Sequence, residues 1–96
     1  MHYYKFHIGD YRRDTIHLSP IEHYIYRSLI DWQHLDELPI PEEIKTVMRK
    51  LRLNPEIEVD LLNILEEFFI KTSEGWTNKR VEKEIATYHK NANKNK

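Results

Sequence analysis

The chain has no cysteine, only two glycines and no long apolar run among its 96 residues. Without cysteine there is no disulfide, no thiolate metal site and no cysteine nucleophile, a composition suited to a reducing cytoplasm. No stretch approaches the roughly 20 apolar residues that span a bilayer, and the N-terminus lacks the basic-then-apolar pattern of a signal peptide. A cytoplasmic protein without membrane contact is expected. There is no Gly-rich phosphate loop and no serine elbow. Of the six histidines, His17, His23 and His34 come nearest to a cluster, but their spacing fits neither an i, i+4 helical pair nor a zinc finger. Glu66 and Glu67 are adjacent, so on a helix they point around it and do not converge as a general acid and base would. These absences together predict a domain that is not an enzyme and holds no metal or cofactor.

What is present reads as one mostly helical domain with a short hairpin. Forty per cent hydrophobic and 32% charged residues fit a single compact core. The organising stretch is Asn54 to Arg80. Asn54 is placed to cap and Pro55 to occupy the first helical position, where its missing N–H costs nothing. Ile57, Leu61, Ile64, Leu65 and Phe68 then recur at helical spacing, with Leu62 and Phe69 widening the apolar face. The period changes at Phe69-Ile70-Lys71-Thr72 and Trp76-Thr77-Asn78, and Ser73-Glu74-Gly75 between them supplies turn chemistry, with Gly75 the residue for a positive φ. A β-hairpin follows, leaning on the preceding helix through Trp76.

The rest of the chain falls around this stretch. His2 to Ile8 is aromatic and reads as an extended arm, Asp10 to Asp14 as a single helical turn, and Arg12 and Arg13 as either phosphate contacts or solvated arginines. Ser19-Pro20-Ile21-Glu22 is a capping box that starts a helix running to about Leu35. Ile21, Tyr24, Ile25, Leu29 and Trp32 share one face of it; for Tyr24 and Trp32 core packing is preferred over a base-stacking role, one also conceivable for Tyr26. Leu38-Pro39-Ile40 suits a third edge strand. A helix from Pro41 would turn Ile44, Val47, Met48 and Leu51 inward, with Glu42 and Glu43 at its positive end. After the hairpin, Asn78 or Thr77 caps a last helix carrying Val81, Ile85 and Tyr88. The expected layout is an arm and short turn over 1–18, a winged helix-turn-helix-like domain over 19–90, mainly α with a small β-hairpin wing, and a polar tail or linker start over 91–96.

The net charge of −1 is not the footprint of a typical small DNA-binding domain, but its distribution is uneven. Pro55 to Ile70 holds Glu56, Glu58, Asp60, Glu66 and Glu67 and no base, whereas lysine and arginine dominate from Lys71 onward. If DNA binds, the contacts expected are Lys45, Arg49, Lys50 and Arg52 around the second helix, and Lys71, Lys79, Arg80 and Lys83 around the wing. The helix after the turn would be a spectator, because its outward Glu56, Asp60, Asn63 and Glu67 offer phosphates only repulsion or neutrality. The alternative is a protein-interaction or self-association module that uses those same four residues.

Tyr3-Tyr4, Gly9-Asp10-Tyr11, Asp14-Thr15 before Leu18-Ser19, Glu67-Phe68-Phe69, and Trp76 followed by Asn78-Lys79-Arg80 together resemble the YdaU-like family of uncharacterised phage and prophage domains, over nearly the whole chain to about Lys90. The resemblance implies a winged-helix domain found near the N-terminus of phage replication proteins, in a bacterial host or prophage-bearing cell. It also implies action at an origin or with the helicase-loading machinery, the replicative helicase or its loader then being the protein partner.

Overall fold

The computed structural model describes residues 15–94, with side chains from 15 to 92. The expectations for the N-terminal arm, the Asp10–Asp14 turn and Arg12 and Arg13 lie outside the described residues. The chain enters the body at Thr15 and Leu18, both buried, through a turn closed by Leu18 N–H donating to the Thr15 carbonyl at 3.0 Å.

Helix α1 spans Pro20–Asp36. Its start is the expected capping box: Glu22 N–H donates to Ser19 Oγ at 3.3 Å and Ser19 N–H to Glu22 Oε1 at 3.0 Å, two orphan donors satisfied reciprocally. Ile25 and Leu29 are fully buried, while Trp32 is half-buried with its Nε1–H on Asp36 Oδ2 at 2.8 Å. Tyr24 corrects the expectation of core packing, for it is 49% exposed. Its ring lies about a quarter-turn off Ile25, and its hydroxyl donates to the Leu51 carbonyl at 3.1 Å. It fastens the end of the next helix from outside.

Helix α2 is short, Ile44–Lys50, and begins three residues later than Pro41. The reason is Ile40, whose backbone exchanges two hydrogen bonds with Trp76, at 2.7 and 2.8 Å, in an isolated antiparallel bridge. That bridge holds the chain extended and stands where a full third strand was expected. Leu51, Arg52 and Leu53 close α2: Leu53 N–H reaches the Met48 carbonyl at 2.9 Å and Arg52 N–H the Arg49 carbonyl at 3.1 Å. This is the paired 6→1 and 5→2 closure of a Schellman motif, with Arg52 in the left-handed region at φ 57°.

A 3-10 turn, Pro55–Ile57, precedes α3, Glu58–Phe68. Asn54 does not cap with its side chain, contrary to expectation; the tight turn instead lets its carbonyl accept Ile57 N–H at 2.9 Å. Leu61, Ile64 and Leu65 are fully buried against α1 and α2, each contributing about 1.5–3 kcal/mol by burial.

Strands β1, Ile70–Thr72, and β2, Gly75–Thr77, pair antiparallel with Lys71 opposite Trp76. Ser73 and Glu74 turn the chain, and Thr72 closes the turn by donating to the Gly75 carbonyl at 2.8 Å and accepting Glu74 N–H at 3.2 Å. Gly75 has φ 127° and a Cβ there would stand 2.2 Å from the Ile40 carbonyl oxygen, so both the dihedral and the bridge demand glycine. Trp76 packs partly buried on the core. Helix α4, Lys79–Lys94, is capped by Asn78, whose Oδ1 accepts Val81 N–H at 3.0 Å. It runs on through the segment read as a polar tail, and it emerges from the body as it goes: Val81 is 2% exposed, Ile85 half-buried, Tyr88 38% exposed. The fold is thus a helical body with a two-stranded hairpin. No helix among the described residues is long and apolar enough to cross a membrane.

Candidate nucleic-acid interface

The eight predicted basic residues are all exposed, yet they fall into different situations. Lys45 and Arg49, four residues apart on α2, share its outward face; Arg52 follows in the Schellman closure, and none of the three has an ion pair among the described residues. Lys50 instead lies over the Trp32 ring, 5.6 Å from its centroid. Lys71 reaches across to Glu42 at 3.2 Å, Lys79 pairs with Glu82 at 3.4 Å and Arg80 with Glu84 at 3.4 Å. Lys83 has no ion pair among the described residues.

The two groups do not converge. The end of α2 is held against α1 by Tyr24 and Trp32, whereas α4 is held against it by Gln33 and His34. Tyr24 and Gln33 are nine residues apart, about half a turn out of phase on a helix. Helix α1 therefore stands between the bases of α2 and those of α4, while Lys71 on the hairpin lies beside the start of α2 through Glu42.

Between them on another side lies α3, whose solvent face is the acidic one foreseen. Glu56, Asn63 and Glu67 are exposed and Asp60 half-buried. Glu67 is occupied, its Oε2 2.6 Å from His17 Nε2. One residue of this face was missed from the sequence: Val59, 65% exposed, sits amid Glu56, Asn63 and Glu66 at helical spacing. Lys90 was missed as well: it is the last residue of the expected 19–90 domain, and the final helix was followed only as far as Tyr88. It is exposed on α4, with the 3.6-residue period as the signal that would have placed it beside Lys79 and Lys83.

The region joining α1, the hairpin and α4 is a buried polar network. Gln33 Nε2–H donates to Thr77 Oγ1 at 2.8 Å and Gln33 Oε1 accepts Asn78 N–H at 2.9 Å. Asn78 Nδ2–H donates to the Phe68 carbonyl at 2.9 Å, and the Thr77 hydroxyl donates to Glu82. Gln33, Thr77 and Asn78 are 2%, 1% and 7% exposed; they bind one another and the backbone, so they form a structural joint with no group left for a substrate.

Among the described residues, His17, His34 and His89 each lie beside a different carboxylate. Besides His17, His89 Nε2 is 2.6 Å from Glu37 Oε1, a hydrogen bond that holds the Glu37 carboxyl below its usual range. His34 is buried with Nε2 3.5 Å from Glu84, and desolvation depresses its pKa, against an opposing pull from Asp31. Among the described residues no group of three or more His, Cys, Asp and Glu is placed to hold a metal.

The family described as "Protein of unknown function (DUF1376)" matches residues 2–86. The chain is 34% identical over 85 residues to "Uncharacterized protein YdaU" of Escherichia coli K12, an alignment covering 88% of this chain and 29% of that relative. The chain thus spans under a third of that protein's length. No solved structure matches it.

Proposed function

The chain belongs to the DUF1376 family of proteins of unknown function, and from that premise we propose that it is a DNA-binding module on a winged-helix plan, with its phosphate contacts at the end of α2. In this plan α2, the Leu51–Asn54 turn and α3 form the helix-turn-helix, and β1–β2 is the wing. The observation that carries the reading is the trio Lys45, Arg49 and Arg52, exposed and without ion pairs among the described residues, beside a third helix whose solvent face has no base. A helix studded with carboxylates cannot supply the attraction that draws a protein to phosphates, so α3 is a spectator. Lys71, Lys79 and Arg80 are half-committed to exposed ion pairs, which are weak enough for a phosphate to displace. The setting is phage or prophage replication, with the replicative helicase or its loader as protein partner.

Fluorescence anisotropy against a duplex and a single strand tests this. Three phosphate contacts give an affinity that falls about fortyfold between 50 and 200 mM salt, and Arg49→Ala lowers the salt slope by about one. Flat titrations at low salt on both probes would sink the proposal. A second reading is favoured by Val59, 65% exposed within the acidic face: α3 docks on a basic protein surface. Under it the DNA titrations are flat, and Val59→Arg weakens capture of the helicase or loader.

A further inference from the structure

Helix α4 carries a second basic surface. Lys79, Lys83 and Lys90 lie four and seven residues apart, so they share one solvent-facing side of the helix and span about 16 Å along it. All three are exposed; Lys83 and Lys90 have no ion pair among the described residues, and Lys79 has only its exposed contact with Glu82. The opposite side of α4 is used along its first half, with Val81 buried and Ile85 packed on the core, and beyond them Tyr88 is 38% exposed. A row of ammonium groups with only the small Ala86 among them suits a regularly charged backbone better than a protein surface.

This row and the trio on α2 lie on opposite sides of α1, which meets the end of α2 through Tyr24 and the start of α4 through Gln33. The route between them over α3 crosses Glu56, Glu58, Asp60, Glu66 and Glu67. One strand cannot follow that route without repulsion. We infer that each copy of the domain has two separate nucleic-acid contacts, one at the end of α2 and one along α4 through Lys90, and that it bridges two DNA segments. This rests on the DNA-binding reading above.

The test is co-capture. A biotinylated duplex is immobilised, the protein is added at low salt, and a second, fluorescent duplex is offered. The wild-type chain retains the second duplex. Lys83→Glu with Lys90→Glu, and separately Arg49→Glu with Arg52→Glu, each keep binding a single duplex at its remaining site while co-capture falls at least about tenfold. An equimolar mixture of the two double variants stays equally low, because no single chain in it has both sites. Binding of one duplex by the wild type without co-capture overturns the inference, as does loss of all binding in either double variant. Restored co-capture by the mixture overturns it too, since that is bridging by dimers. No binding of any duplex by the wild type is the separate failure of the DNA-binding reading itself.

Discussion

Two stretches along the buried side of α1, an apolar flank and a polar one, are held by different chemistry. In one, Ile25 and Leu29 join Leu61, Ile64, Leu65 and Val47 in one core cluster, all fully buried. In the other, one turn past Leu29 on the same side of the helix, Gln33 enters a polar joint with Thr77 and Asn78 that fixes where the hairpin leaves and α4 begins. The apolar flank supplies most of the stability but tolerates small shifts, because dispersion is not directional. The polar flank supplies less net energy and far more geometric definition, since each donor there has one acceptor at hydrogen-bond distance. The placement of α4, and with it the row of lysines, depends on the second flank.

The largest effects come from breaking each flank in turn. Leu61→Ala, at a site with no solvent exposure, is expected to cost about 3–4 kcal/mol in urea unfolding. Gln33→Ala strands the Asn78 N–H and removes a donor from Thr77, and is expected to cost about 2–3 kcal/mol. The two should differ in kind as well as size: Gln33→Ala should speed amide exchange at Asn78 and Val81 first, while Leu61→Ala lowers protection throughout. If Gln33→Ala costs under about 0.5 kcal/mol, the polar joint is not what orders α4.

This contrast also explains what could be read from the letters. The apolar flank was legible because Leu61, Ile64 and Leu65 repeat at helical spacing, and the capping box at Ser19 marks its helix unambiguously. Gly75 was legible as the turn glycine, though the stronger demand on it, the approach of the Ile40 carbonyl, comes from a residue 35 positions away. The polar flank was illegible. Gln33 looks like any solvated glutamine, and only a partner 45 residues on makes it a core residue. The candidate interface was half legible: basic residues can be counted, but whether two groups share a face depends on the helix between them. Tyr24 shows the same limit, since an aromatic at core spacing reads as buried until a carbonyl is found for its hydroxyl.

A smaller effect, conditional on pH, should come from His34 at the rim of the polar flank. Its folded pKa lies below the ordinary 6.5 because burial disfavours the imidazolium. Near pH 6.5 and below, the unfolded chain takes the proton first and the folded chain resists it, so stability falls as pH drops through that window and levels off once the depressed folded value is passed. Above it His34 is neutral in both states and contributes no slope. Urea midpoints at pH 7.5 and 5.5 measure this, with His34→Gln as the comparison. If the variant loses as much on acidification as the wild type, the sensitivity lies elsewhere.

The smallest effect tests whether the α2 end is shaped for binding at some cost to folding. Arg52 holds φ 57°, a conformation that costs a side-chain-bearing residue on the order of 1 kcal/mol and glycine almost nothing. Part of that relief is cancelled because glycine has more freedom to lose from the unfolded chain. Arg52→Gly is therefore expected to raise stability by about 0.5 kcal/mol while weakening duplex binding and shallowing its salt dependence by about one phosphate contact. Stability and affinity moving in opposite directions would mark Arg52 as a residue kept for its charge at a position whose backbone favours glycine. If Arg52→Gly instead destabilises the fold and leaves the salt slope untouched, the guanidinium is a structural group, and the α2 interface shrinks to Lys45 and Arg49.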